Sequence, residues 1–225
     1  MTDLTRRSAL GLLGVAALGS NALGQAADDS TKVPLPSSAA PPAPPRIGQP
    51  APEFRGLDTK EAQVNLSDFK GRHVVLEWTN HDCPFVKKVY GSDTMQALQR
   101  KWTGQNVAWL SIISSSEGEQ GHVGFTEADK LTSERKAAPT AVLIDTPGEI
   151  GRLYDARTTP HMFIIKPDGV LAYMGAIDDK PSSDPASLQG ATNYVDQALT
   201  ELTQGRPVTT ASTKPYGCSV KYRPS

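Results

Sequence analysis

Four short apolar runs, each followed by a segment of different periodicity, constrain the fold of this chain more than any other feature. "H-V-V-L-E-W" (His73–Trp78), "V-A-W-L-S-I-I-S" (Val107–Ser114) and "T-A-V-L-I-D" (Thr140–Asp145) are too short and too β-branched for helices and read as buried strands. "M-F-I-I-K-P-D-G-V-L-A-Y-M-G" (Met162–Gly175) reads as two strands around a Pro-Asp-Gly turn. Between them, Pro84–Lys101 carries apolar residues near helical spacing, with Gly91-Ser92 as its weak point. Thr126–Lys136 is a polar helix with acid in its first turn, and Glu149–Asp155 is a short one with Ile150, Leu153 and Tyr154 inward. Asn193–Gln204 is a last amphipathic helix, stopped by Gly205 and Pro207.

Strands alternating with helices imply parallel pairing through right-handed crossovers, and the late hairpin adds antiparallel edges. The expected architecture is α/β: a mixed central sheet with helices on both faces and a C-terminal β-hairpin plus helix. No internal repeat and no second globular domain is visible. The domain runs from 47 to 205, followed by a polar, irregular tail over 206–225 that holds Cys218.

The N-terminal 26 residues stand apart. A basic start containing Arg6-Arg7, a short apolar run from Ala9 to Leu18 and small residues near Gly24 and Ala26 make an export signal pattern. The run is too short to span a bilayer. "T-R-R-S-A-L" resembles a twin-arginine signal, from which it departs at Ala9 and Gly11. Export, to a bacterial periplasm, is the expectation. Residues 27–46 include "V-P-L-P-S-S-A-A-P-P-A-P-P", an extended spacer with too much proline for helix and too little apolar bulk to pack.

A formal net charge of -1 lends no support to a nucleic-acid partner. Two cysteines in 225 residues cannot form a disulfide scaffold, but they can be one bridge, two free thiols or a catalytic pair. Cys83 follows a strand and precedes Pro84, which suits the first helical position. Cys83 is then the helix N-cap, facing unpaired amides and the positive end of the helix dipole, and both favour the nucleophilic thiolate. Asp82 opposes this and Lys87 and Lys88 partly offset Asp82. Against it stands the ordinary tendency of a strand-end cysteine to be buried packing.

Two further segments bear on the choice: "T-T-P-H-M-F-I-I" (Thr158–Ile165), with a proline directly before an apolar strand, and the entry "I-G-Q-P-A-P-E-F-R-G-L-D … V-N-L-S-D-F-K-G-R-H-V-V-L-E-W". Together, from Ile47 to about Leu202, they resemble the redoxin group of the thioredoxin superfamily, of the alkyl hydroperoxide reductase/thiol-specific antioxidant type. The resemblance implies a thioredoxin fold, thiol oxidoreductase chemistry at Cys83, and a cis Thr159–Pro160 bond shaping the substrate groove. Asn80 stands where related reductases have the first cysteine of Cys-x-x-Cys, and also where peroxiredoxins have a threonine. Thr79 supplies that hydroxyl only if the turn shifts by one. The missing dithiol tilts the expected substrate toward peroxide rather than protein disulfides.

A sulfenic acid formed on Cys83 needs a second thiol, and Cys218 is the only internal one. An extended tail reaches roughly 50 Å, against a domain radius of about 16 Å, so Cys218 can arrive in cis or across a homodimer. "P-Y-G-C-S-V-K-Y" offers glycine freedom and aromatic anchors for docking. An external thiol reductant is implied, and no cofactor. His161 is expected to neighbour the thiol, and Arg157 to hold an anionic oxygen or the thiolate. Competing readings give Cys83, His81 and His161 to copper or zinc, or make the chain a non-catalytic binding scaffold. Asp178-Asp179 is expected to be a solvated loop pair and Trp78 a core residue.

Overall fold

The computed structural model describes residues 44–223. The export signal and most of the proline-rich spacer lie outside the described residues. The chain opens with a hairpin of β1 (Arg55–Asp58) and β2 (Gln63–Asn65), then a 3-10 turn and β3 (Val74–Trp78). Next come α1 (Pro84–Gly91), α2 (Thr94–Thr103), β4 (Ala108–Ile113), α3 (Phe125–Glu134), β5 (Ala141–Ile144) and α4 (Glu149–Leu153). A two-residue strand β6 (Thr158–Thr159) precedes β7 (His161–Ile165), β8 (Leu171–Gly175), α5 (Tyr194–Thr203) and, in the tail, β9 (Cys218–Ser219).

Seven strands form one sheet in the order β2-β1-β5-β4-β3-β7-β8. β3 runs parallel to β4 and β4 to β5, whereas β7 is antiparallel to β3 and β8 to β7. Central β3, β4 and β7 are buried at every position, as continuous apolar runs require when both faces are covered. Alternation divides them cleanly. Val75, Trp109, Met162 and Ile164 face the cluster built with α1, α2 and α5, while Leu76, Trp78, Leu110 and Phe163 face α4.

Glu77 interrupts the apolar pattern of β3 yet is fully buried. It accepts hydrogen bonds from the Tyr90 hydroxyl (2.8 Å), Gln99 Nε2 (3.1 Å), Trp109 Nε1 (2.8 Å) and Ser111 Oγ (3.0 Å), which is how a carboxyl is tolerated there.

The long helix over 84–101 divides at Ser92-Asp93, where Asp93 takes a left-handed backbone. α3 starts at Phe125 behind Gly124 rather than at Thr126. The β1–β2 hairpin carries no sequence signal strong enough to assign, because its strands are short and mostly polar. The tail, expected to be polar and irregular and suited to docking, pairs along β8 through Met174 and Ala211–Thr213, then crosses to β6 as β9. One expectation needs correction. Asp178 is not solvated but buried, in an ion pair with the equally buried Lys88.

Candidate active site

Cys83 ends the turn that leaves β3. The Asn80 carbonyl accepts its N–H at 3.1 Å, and Pro84 begins α1 directly after it. Asn80 pins this turn. Its Oδ1 accepts from the Asp82 amide at 2.9 Å and its Nδ2 donates to the Gln120 carbonyl at 3.0 Å. The opposing Gly121 has a φ of +82° and no room for a side chain, since a Cβ there would lie 2.1 Å from Asn80 Oδ1.

The peptide bond Thr159–Pro160 is cis, and Thr159 lies against the thiol. Cys83 Sγ, when protonated, donates to the Thr159 carbonyl at 3.0 Å. On the other edge of Thr159 lies the tail: β9 pairs antiparallel with β6, Cys218 opposite Thr159 and Ser219 opposite Thr158. Val220 adds a bond from its N–H to the Arg157 carbonyl at 3.0 Å. Both cysteines are free thiols, Cys83 buried and Cys218 half-buried.

Burial pushes the Cys83 thiol up, but other contacts outweigh it and hold it below an ordinary thiol. In order, these are the Cys218 thiol, the Thr159 hydroxyl, the Val86 amide at the start of α1 and the Cys218 amide. The Thr159 hydroxyl is buried and makes no conventional hydrogen bond among the described residues. Cys218 moves the opposite way, up to about 11, through burial and then through the neighbouring Cys83 sulfur, which favours its protonated form. When the pair loses its first proton, Cys83 is therefore the sulfur that gives it up and Cys218 the one that keeps its own.

Tyr216 and Tyr222 seat the tail on either side of Cys218. The Tyr216 ring packs edge-on against Phe85 at 5.8 Å, and its hydroxyl donates to Asp178 Oδ1 and accepts from Lys88 Nζ at 3.0 Å. Lys88 Nζ is completed by Asp178 Oδ2 at 3.3 Å and the Lys180 carbonyl at 3.0 Å. The Tyr222 hydroxyl donates to the Ala156 carbonyl at 2.7 Å beneath the Arg152 guanidinium. Gly217 is obligatory between them: its φ is +143° and a Cβ would fall 2.1 Å from the Thr159 carbonyl oxygen.

Several expected site residues do other work. His161 is not a neighbour of the thiol. Strand alternation sends Met162 to the Cys83 face and His161 to the other, where its ring packs 4.5 Å from Phe163 and its Nδ1 accepts from the Arg157 amide at 3.3 Å. Burial lowers the His161 imidazole to about 4, so it is neutral near pH 7. Arg157 neither reaches the sulfur nor waits for an anion: its exposed guanidinium binds Asp155, with Nε at 3.0 Å. Thr79 keeps a buried, unpartnered hydroxyl beside a cavity of about 30 Å³ that it shares with His81, Tyr90 and Ser111, room for about one water.

His81 lies 3.3 Å from Asp82 and borders a 570 Å³ cleft with Val86, Tyr90 and Arg135. Burial, its largest influence, lowers the His81 imidazole against the pull of Asp82. Because the two histidines turn into different clefts, they do not join Cys83 as a ligand set. Among the described residues no group of three or more His, Cys, Asp or Glu could hold a metal ion. Lys87 offsets Asp82, pairing with it at 3.4 Å, whereas Lys88 does not, because its charge is spent on Asp178.

A central mixed sheet, a cysteine at the start of the helix leaving β3, and a cis-proline opposite it define a thioredoxin-fold redoxin. The chain belongs to the AhpC/TSA family, whose model matches residues 47–174, more than half of its length. The fold is similar to the crystal structure of an uncharacterized conserved protein from Geobacillus kaustophilus, with 28% identity, TM-score 0.69, and coverage of 80% of this chain and 94% of that one. It is also similar to that of a hypothetical protein from Sinorhizobium meliloti, with 18% identity, TM-score 0.68, and coverage of 80% and 96%. No curated protein matches the chain. The family match ends at β8, before the tail that carries Cys218.

Proposed function

We propose that the protein is a dithiol–disulfide oxidoreductase in which Cys83 is the nucleophile and Cys218 the resolving thiol. One observation carries the reading: Cys218 is strand-paired to Thr159, the residue whose carbonyl touches the Cys83 sulfur, and its thiol can donate to a Cys83 thiolate. The dithiol missing from the local sequence is thereby assembled through space. That shifts the preferred substrate from peroxide, toward which the missing Cys-x-x-Cys tilted, to disulfides. Neither Thr79 nor Arg157 is placed to polarise a peroxide at the sulfur.

Exchange runs in two steps. The Cys83 thiolate attacks one sulfur of a substrate disulfide, the substrate S–S bond breaks, and its other sulfur leaves as a thiolate and takes a proton. Cys218 then gives up its proton and attacks the Cys83 sulfur of the mixed disulfide. This frees the second substrate thiol and leaves a Cys83–Cys218 disulfide. Two electrons have passed to the substrate, and an external thiol reductant restores the pair.

Peptide mapping of the oxidised protein, together with insulin reduction driven by dithiothreitol, tests the reading. A Cys83–Cys218 link and insulin turnover lost in Cys83→Ser are expected. No link between the two cysteines, or full turnover by Cys83→Ser, overturns it. Fast peroxide consumption without insulin turnover would instead select the peroxidase reading that the family name suggests.

The reading includes export, which rests on Arg6-Arg7 and the apolar run Ala9–Leu18. Mass spectrometry of the mature N-terminus tests it: cleavage near Gly24 or Ala26 supports export, and an intact cytosolic chain overturns it.

A further inference from the structure

The residues beneath the tail and those of the tail itself differ sharply in burial. Cys83, Lys88, Thr159 and Asp178 are all buried, Cys83 and Lys88 almost completely. From Thr203 to Arg223 no residue is fully buried. A thin, half-exposed strand therefore lies over the edge beside a buried sulfur, and is held there mainly through polar contacts. Segments with few buried apolar contacts open at the low end of a protein's stability range.

The contact with most to lose on opening is also suited to being broken. Tyr216 closes a Lys88–Asp178 pair that is otherwise sealed from water. When the tail lifts, both charges regain hydration, which offsets part of the lost hydrogen bonding. What opening exposes is a strand edge: the carbonyls of Arg157 and Thr159 and the rest of the Thr158–Thr159 backbone, next to the Cys83 sulfur. An extended chain is the natural ligand of such an edge.

We propose that the tail is a built-in competitor for a polypeptide disulfide. Residues 216–222 occupy the place of an extended substrate segment, and the Tyr216–Asp178–Lys88 cluster is the latch that must release before Cys83 meets it. The inference rests on the dithiol reading above and names its regulation and its substrate class. The seated tail also specifies the partner's chemistry. The partner presents its disulfide-bonded cysteine at the Cys218 position, glycine immediately before it because a side chain there would strike Thr159, and an aromatic residue two before it to pack on Phe85.

The experiment uses the full chain in a Cys218→Ser background, so that alkylation by iodoacetamide reports Cys83 alone. Tyr216→Phe removes the latch hydroxyl and keeps the ring. Gly217→Ala displaces the strand by a different route, without touching the charges. Tyr216→Phe is expected to raise the alkylation rate about tenfold, the effect of losing one hydrogen bond to a charged group, and Gly217→Ala is expected to raise it through the clash with Thr159. A synthetic peptide disulfide of the sequence Tyr-Gly-Cys should protect Cys83 in these variants more than a Tyr-Leu-Cys peptide does.

Equal alkylation rates in the background and in both variants would overturn the latch, and equal protection by the two peptides would overturn the assigned partner. Either failure is separable from failure of the dithiol reading. That reading is tested in the protein with both cysteines present, by whether Cys83 and Cys218 form a disulfide.

Discussion

Thr159 and Cys218 are direct partners across the two-residue β6–β9 ribbon, and the carbonyl of that same Thr159 lies 3.0 Å from Cys83 Sγ. A single residue thus meets both cysteines, the Cys83 sulfur through its carbonyl and the Cys218 backbone through strand pairing. In a Cys-x-x-Cys motif the helix turn fixes the spacing of the sulfurs. Here the spacing depends on where a distant tail docks. The acidity of Cys83, its shielding and the proton carried by Cys218 then all depend on tail contacts, and each contact can be altered alone.

Cys218→Ala removes the largest contact favouring the Cys83 thiolate. The Cys83 titration midpoint, followed by thiolate ultraviolet absorbance, is expected to move up, and to move less in Cys218→Ser, whose hydroxyl can still donate. An unchanged midpoint in Cys218→Ala would show that the two thiols do not interact.

Thr159→Val separates acidity from stability. The hydroxyl favours the Cys83 thiolate but is buried without a conventional partner, so a methyl in its place removes an unmet polar group. Urea unfolding should show stability equal to wild type within about 0.5 kcal/mol, or higher. Alkylation of Cys83 near neutrality should nevertheless slow. A clear loss of stability would mean that the hydroxyl has a structural partner.

Asp178→Ala strands the Lys88 ammonium, which is fully buried and, among the described residues, has Asp178 as its only charged partner. Leaving such a charge uncompensated costs about 3–5 kcal/mol, read as a lower urea midpoint. A double change to Lys88→Met and Asp178→Leu should recover much of the loss. Failure of the double change to improve on Asp178→Ala would argue that packing around the pair, rather than the bare charge, sets the cost.

His161 makes the fold acid-sensitive. Its pKa falls from 6.5 to about 4 on folding because the ring is buried, so the unfolded chain binds its proton first. The contribution is fully present above pH 6.5, declines as pH falls toward 4, and amounts to about 3 kcal/mol across that window. The difference in unfolding free energy between wild type and His161→Gln cancels the other titrating groups. It should shrink as the pH falls through this range, and a pH-independent difference would refute the assignment.

Much of this molecule was legible in its residues. Apolar runs of four to eight residues specify the strands whatever surrounds them, and Pro84 and the 162–175 hairpin carry local signals that tertiary structure had no reason to override. The position of Cys83 at the start of α1 follows from the same local chemistry. The β1–β2 hairpin escaped because its pairing depends on β5, far along the chain, rather than on its own short polar strands. His161 shows how one step of strand alternation decides a role: two residues adjacent in sequence face opposite sides of a sheet, and only the register with β3 says which side holds the thiol.

By itself the sequence determined the order of strands and helices, the capping position of Cys83 and the need for a second thiol. Only the folded chain decided where that thiol sits, that Asp178 pairs with Lys88 in the interior, and that Tyr216 closes over both. The physical reason is range. Periodicity, capping and turns are set by neighbours within a few residues, whereas a buried ion pair, a strand docked from the C-terminus and two cysteines meeting at one threonine exist only once distant segments have packed.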